Sequence, residues 1–414
     1  VKTTPDLPAA SRMTPAELRA SGSLATIFAA RMLGLFLVLP VFALEAARYP
    51  GGTDAALVGL AMGIYGLTQG LLQIPFGLAS DRFGRKRVII LGLLVFAGGS
   101  FVAAAADSLF WLVVGRSLQG AGAVSAAVTA LLADQTRDEV RTKAMAMVGA
   151  SIGLMFAVSL VAAPLLVASV GLGGLFAITG VLALGCIAVL VWWTPPEPVQ
   201  HKNVPRGKLS EVLSHAGLLR LNVGVFVLHA VQLAMWVAIP AMLVQAGLGK
   251  EQHWYVYLPA VLGSFVVMGM TLFPLERRGY LRAVFLAAVG TVALVQVGLL
   301  LVAGQPSIGA LAVLLFVFFC GFNVLEASQP SMASRMAPPH ARGAALGVYN
   351  TLQSLGFFAG GAVGGWLAKN VGAQGLFTAC AGLMVLWLAV AWPMRAPASR
   401  KSAEEVLADE AQAT

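Results

Sequence analysis

Eighteen of the 414 residues are acidic, and of these only Glu326 falls deep inside an apolar run, while Glu45 and Asp134 lie near the ends of theirs. A carboxyl surrounded by hydrocarbon is disfavoured as the anion, so it can load and release a proton, which makes Glu326 the first candidate for proton chemistry. His229 is the one histidine embedded in such a run, with Gln232 and Trp236 at i+3 and i+7 on the same helical face. Arg31 and Arg116 are the basic residues set deep in apolar runs. At about 2.5–3.5 kcal/mol each on insertion scales, they need a cavity or a partner. Each of the four has a structural alternative: a helix contact for His229, snorkelling for Arg31, an ion pair for Arg116, and a fixed salt bridge to either arginine for Glu326.

Charge is also concentrated in GLASDRFGRKR, residues 77–87, which sets Gly77, Asp81, Arg82, Gly84, Arg85 and Lys86 between two apolar runs. Asp81 falls at the C-terminal end of its helix, where the dipole disfavours a carboxylate and calls for a positive partner. Arg85 is four residues on, and Gly84 should break the helix, so this pair would form across a turn. A third group is polar or aromatic at helical spacing: Tyr65, Gln69 and Gln73; Gln119; Gln232 and Trp236; Asn323; Asn350 and Gln353. With Phe36, Met155 and Phe322 they could wall an amphiphilic cavity, suited to a hydrophobic or weakly basic small molecule rather than a phosphorylated one. The alternative for each of them is helix packing or contact with lipid.

The elements that must position these residues are transmembrane helices. The chain is 58% hydrophobic, against about 45–50% apolar in a soluble domain. Twelve apolar stretches are long enough to cross a bilayer: 23–47, 54–80, 88–106, 109–134, 144–169, 172–193, 218–246, 252–275, 282–303, 308–334, 343–369 and 374–394. They are continuous rather than alternating, which excludes a β-barrel. Of the 27 Lys and Arg, only Arg48, Lys250 and Lys369 fall on the side away from the termini, and this bias predicts both termini in the cytosol. It also accounts for the net charge of +9 without a nucleic-acid partner. Cys186, Cys320 and Cys380 all lie in apolar runs and imply no disulfide framework.

The polar stretch 195–217 divides the spans six and six. DRFGRKR at 81–87 has a counterpart in ERRGYLR at 276–282, and 133–146 aligns with 334–347, matching Arg141 to Arg342. Both matches join equivalent spans of the two halves, as in a duplicated six-span unit. The expected organisation is a cytosolic tail (1–22) without regular structure, a six-helix bundle (23–194), a cytosolic linker (195–217), a second six-helix bundle (218–394) and a cytosolic tail (395–414). The phosphate-cradling G-x-x-x-x-G-K-S/T pattern and H-E-x-x-H are absent, which argues against ATP hydrolysis and zinc-protease chemistry.

GLASDRFGRKR resembles the cytosolic loop signature of the major facilitator superfamily, and RSLQGAG at 116–122 resembles its second signature. The resemblance covers residues 20–395. RMLGLFLVLP at 31–40, FVLHAVQL at 226–233 and GFNVLEA at 321–327 are similar, more narrowly, to its YajR-type drug-efflux branch. The resemblance implies an all-α membrane protein of twelve helices in two six-helix bundles. It also implies a secondary transporter working by alternating access: a proton-coupled exporter of small amphiphilic or drug-like compounds. It would be a monomer in the bacterial inner membrane, with the lipid bilayer, a small-molecule substrate and protons as partners, and neither cofactor nor enzymatic activity.

The family likeness further implies that Asp134 pairs with Arg85, that Arg116 lies toward the bundle interior, and that Asp81 meets the start of the span near Gly343, making the loop a conformational latch. Span five departs from the drug-antiporter pattern G-x-x-x-G-P-x-x-G-G, reading GASIGLMFAVSLVAAP at 149–164. Import or facilitated passage of sugars or metabolites therefore stays open, as does a membrane-embedded sensor or lipid-handling protein.

Overall fold

The structure, a computed structural model, describes residues 13–197, 209–338 and 341–394. All regular structure among the described residues is helical, and nine helical stretches are long and apolar enough to cross a membrane. Helix is the form that lets an apolar chain satisfy its own backbone in hydrocarbon. The thirteen α-helices are α1 (Pro15–Phe36), α2 (Leu39–Ala46), α3 (Ala55–Phe83), α4 (Arg85–Ala104), α5 (Leu109–Ala121), α6 (Ser125–Asp134), α7 (Asp138–Ala188), α8 (Leu209–Ser214), α9 (Ala216–Gln245), α10 (Trp254–Arg277), α11 (Leu281–Val302), α12 (Ile308–Met336) and α13 (Arg342–Ala391).

Two boundaries differ from expectation, each for a local reason. Helix α1 starts at Pro15, within the tail expected to lack structure, because Thr14 and Glu17 form a capping box: Thr14 Oγ1 accepts from the Glu17 amide at 3.2 Å and Glu17 Oε2 from the Thr14 amide at 2.8 Å. The run 109–134 is interrupted between α5 and α6 at Gly122–Val124. The stretches α7 and α13, of 51 and 50 residues, are each two helices joined across a kink, between the runs 144–169 and 172–193 and between 343–369 and 374–394. Each turns at one glycine, Gly171 (φ 67°, ψ −178°) and Gly372 (φ 68°, ψ −176°), in a backbone region closed to side chains bearing a β-carbon.

The chain forms two compact units, one of Val1–Pro40 and Thr68–Asn203, the other of Val41–Leu67 and Val204–Thr414. In the first, Leu24, Ile27 and Phe28 of α1 pack with Ile89 and Leu93 of α4, Val128 and Leu131 of α6, and Val148 of α7. Helix α4 lies close against α5: a β-carbon on Gly99 would stand 2.5 Å from the Gln119 nitrogen, and one on Gly115 2.6 Å from the Ala103 nitrogen. In the second unit α9 is buried almost all round. Helix α13 approaches it at Gly356 and Gly360, whose β-carbons would overlap the backbone of Phe226 and Ala230. On another face of α13, Gly361 and Gly365 meet Gly59 and Gly63 of α3 backbone to backbone. Lys369 Nζ with Asp54 Oδ2 and Lys250 Nζ with Glu45 Oε1, both at 2.6 Å, hold residues 41–67 to the same unit.

The repeat recurs as backbone geometry: Gly84 (φ 99°) and Gly279 (φ 85°) occupy the same place in DRFGRKR and ERRGYLR, and Gly171 and Gly372 the same place further on. The contrast between Gly98, with nothing within 4 Å of its β-carbon position, and its neighbour Gly99 gives a test of α4–α5 packing. Gly99→Ala should destabilise the protein by about 1–3 kcal/mol in a thermal melt in detergent. Gly98→Ala should leave the melt unchanged or raise it slightly, because alanine is the better helix former.

Candidate functional site

His229 sits near the middle of α9, 1% exposed. Its Nδ1 lies 2.8 Å from the Val225 carbonyl oxygen four residues earlier. A carbonyl can only accept, so Nδ1 carries a proton, and in the neutral form of the ring the lone pair is at Nε2. Three atoms face that lone pair or its neighbourhood. Gln353 Nε2 of α13 is 2.8 Å from His229 Nε2 and 3.2 Å from Glu326 Oε1, and Glu326 Oε2 of α12 is 3.2 Å from His229 Nε2. With a neutral imidazole and an ionised carboxylate, Nε2 and Oε2 are two acceptors face to face, and Oε2 has no donor among the described residues. One proton placed between them converts the repulsion into a charge-assisted hydrogen bond. That proton and the Gln353 amide then compete for a single nitrogen lone pair.

The walls of this triad are aromatic. Phe357 and Phe322 present edges to the His229 ring at centroid distances of 4.8 and 6.1 Å, and Phe322 stacks on Phe318 at 5.5 Å. Tyr349, one turn before Gln353 on α13, is 2% exposed. Of the other residues read as cavity wall, Asn323 donates to Ser264 Oγ at 2.8 Å, joining α12 to α10. Gln232 and Trp236 are buried on α9. Tyr65 is buried in the second unit and Asn350 is partly exposed on α13.

In the first unit Gln73 is buried and Gln69 partly exposed on α3, and Phe36 packs edge-on to Phe156 at 5.1 Å beside Met155. Arg31 and Arg116 flank the break between α5 and α6. Arg31 donates to Ser125 Oγ at 2.9 Å and lies 5.4 Å from the centre of the Phe96 ring. Arg116 donates to Gln119 Oε1 at 3.1 Å, and Gln119 passes the chain to Ser100 Oγ at 2.8 Å. Both arginines are buried.

The knot at 77–87 closes around Arg85. Its guanidinium pairs with Asp81 and, at 3.0 Å, with Asp134, and it donates to Ser80 Oγ at 2.7 Å, whose own hydroxyl bonds the Gly77 carbonyl. Gly84 makes the turn that brings Arg85 back over Asp81 and, lacking a side chain, leaves the first amides of α4 uncapped. Glu197, read beforehand only as part of a linker, supplies the cap: its carboxylate accepts from the Arg85 amide at 3.1 Å and the Lys86 amide at 2.5 Å. Lys86 Nζ donates to the Thr194 carbonyl at 2.8 Å, while Arg82 is exposed over the Phe83 ring. The counterpart in the second unit is simpler, Glu276 pairing with Arg335 at 2.9 Å. Residues 198–208 of the linker and both chain ends, 1–12 and 395–414, lie outside the described residues. Since an anionic cap at a helix N-terminus contributes about 0.5–2 kcal/mol, Glu197→Ala should lower the melting temperature in detergent, whereas Pro196→Ala should not.

The sequence matches the family model of the Major Facilitator Superfamily over residues 24–361 and 274–411. It is 42% identical over 390 residues to the inner membrane transport protein YajR of Escherichia coli K12, covering 93% of this chain and 85% of that protein. It is 27% identical to the multidrug resistance protein MdtH of Aeromonas salmonicida, covering 83% and 86%. The fold is similar to the crystal structure of the human organic anion transporter MFSD10, with a TM-score of 0.68 at 18% identity over 91% of this chain and all of that one. With its loop signature, its all-helical architecture and these matches, the chain belongs to the major facilitator superfamily, as a multi-pass inner-membrane transporter of the YajR type.

Proposed function

We propose that this transporter couples the movement of a small amphiphilic compound to a proton held between His229 and Glu326, and that it works as an exporter by alternating access. The observation that carries the reading is the placement of His229, with Nδ1 2.8 Å from the Val225 carbonyl oxygen and Nε2 3.2 Å from Glu326 Oε2, an arrangement that one proton between Nε2 and Oε2 completes. Ring edges from Phe322 and Phe357 beside this pair suit an aromatic or aliphatic compound. Export is supported by the likeness to a multidrug resistance protein. Reading α7 and α13 as two spans each, and α1 with α2 and α5 with α6 as one each, gives twelve spans, with bundles at 23–194 and 218–394 and both termini cytosolic by the charge bias.

The knot serves as the conformational latch. Arg85 is shared between Asp81 and Asp134, so Asp81 can change partners while Arg85 remains held by the second carboxylate. Partly exposed pairs of this kind are worth about 0–1 kcal/mol each, small enough for a switch that cycles thermally.

Everted membrane vesicles with an imposed pH gradient, challenged with a panel of amphiphilic compounds, test the coupling. A transported compound should collapse the gradient in the wild type. Glu326→Gln and His229→Asn should abolish gradient-driven flux and leave exchange of the same compound across the membrane measurable. Driven flux that survives in Glu326→Gln would place the coupling proton elsewhere. Asp81→Asn should slow flux by up to about fivefold, the ratio that about 1 kcal/mol produces, with normal yield and insertion. An unchanged rate would reduce the knot to a topology signal.

A further inference from the structure

The start of the linker is bound down around the charged knot of the first unit. Arg19 of α1 donates to the Trp193 carbonyl at 2.7 Å and to the Trp192 carbonyl at 3.2 Å. Lys86 Nζ donates to the Thr194 carbonyl, and Gln135 Nε2 to the carbonyls of Pro195 at 2.9 Å and Pro196 at 3.2 Å. Glu197 ends the series with its carboxylate on the amides of Arg85 and Lys86. Each residue from Trp192 to Glu197 is thus held by α1, by α4 or by the turn between α6 and α7. Arg85 and Lys86 belong to the knot, and Gln135 follows Asp134 directly, so this strap grips the chain beside both partners of the Arg85–Asp134 pair.

Helix α4 opens with Arg85, Lys86 and Arg87, three cations at the positive end of a helix dipole, and Gly84 offers its first amides no side-chain cap. Left to itself such a turn frays, and Arg85 lies in it. The helical form of that turn is what places the guanidinium against Asp81 and Asp134. Glu197 answers both faults with one group: its oxygens accept from the first two amides, and its charge opposes the cations. The duplicated half gives the contrast. Tyr280 stands there in the place of Arg85, and the ten residues after Trp392 include no acid, so the acid accompanies the knot that has an arginine to place. We propose that Glu197 is a positioning residue of the latch: it holds the first turn of α4 so that Arg85 stays fixed beside Asp134, and Asp81 leaves and returns to a partner that has not moved. The inference rests on the reading of the knot as that latch.

The test uses the full chain in everted membrane vesicles, exposed briefly to p-hydroxyphenylglyoxal, a dicarbonyl that condenses with guanidinium groups. The rate at Arg85, 13% exposed in its side chain and paired twice, is read by mass spectrometry against that at the exposed Arg82. Glu197→Ala should raise the ratio by about fivefold or more, as should Asp81→Asn combined with Asp134→Asn. Glu197→Gln, whose amide oxygen still accepts but carries no charge, should raise it less, and it carries the test where Glu197→Ala yields no folded protein. An unchanged ratio in the Glu197 variants overturns the positioning role. Equal acceleration at Arg137, whose pair with Glu17 lies in the same unit, also overturns it, as the mark of a general loosening. Failure of the latch reading has a separate signal: gradient-driven flux that is unchanged in Asp81→Asn overturns the latch, and the role of Glu197 in it, even where the Arg85 ratio has moved.

Discussion

Hydrocarbon offers no water to a polar group, and most of what is distinctive in this chain follows from that. Backbone amides and carbonyls are satisfied along helices. Where a helix is interrupted, polar side chains gather beside the gap: Arg31 and Arg116 flank the break between α5 and α6, held by Ser125 and by Gln119 with Ser100. Side chains whose hydrogen bonding depends on their protonation state are the informative ones. His229 and Glu326 stand in that position, since the Val225 carbonyl commits one ring nitrogen and leaves the other facing an oxygen that also accepts.

The same constraint decided what could be read from residues alone. A charged knot in an apolar chain is conspicuous, so the turn at Gly84 and the pairing of Arg85 with Asp81 were legible in GLASDRFGRKR, while the pairing with Asp134 came only from the family likeness. His229 and Glu326 were legible singly as ionisable groups in apolar runs. Their pairing was not, because it depends on α9 lying between α12 and α13, and Gln353 looked like one more polar wall residue. Glu197 was hidden among prolines in what reads as a linker. The signal that could have found it is negative: α4 begins after a glycine and carries no Ser, Thr, Asp or Asn to cap its first amides. Helix α1 was placed too late for the opposite reason, as apolar length was weighed above the capping box that Thr14, Pro15 and Glu17 spell out.

Glycine does in this fold what polar residues do elsewhere: it sets which helices approach. Gly99 and Gly115 bring α4 against α5 in the first unit, and α13 uses one set of glycines toward α9 and another toward α3 in the second. A helix with small residues on two faces has its backbone in contact on both sides and little side-chain slack to absorb a shift. Movement of α13 relative to α9 is therefore felt where α13 meets residues 55–67.

On the proposed function, that property gives the coupling proton a mechanical route. On the proposed reading, Gln353 of α13 bonds the His229 lone pair when the pair is empty, tying α13 to α9, and bonds Glu326 of α12 at the same time. A proton arriving at Nε2 takes the lone pair, so the Gln353 hydrogen bond to His229 is lost while that to Glu326 remains. A hydrogen bond of this kind is worth about 0.5–1.5 kcal/mol net, up to about 3 with a charged partner. That is enough to move a two-state population by roughly two- to 150-fold. Loading the proton thus loosens α13 from α9 where Gln353 meets His229. The glycine contacts at 356 and 360 are left as steric guides, and the freed helix is the one whose other face carries Gly361, Gly365 and Lys369 against Gly59, Gly63 and Asp54. The proton's occupancy and the packing of residues 41–67 are in this way two readings of one hydrogen bond.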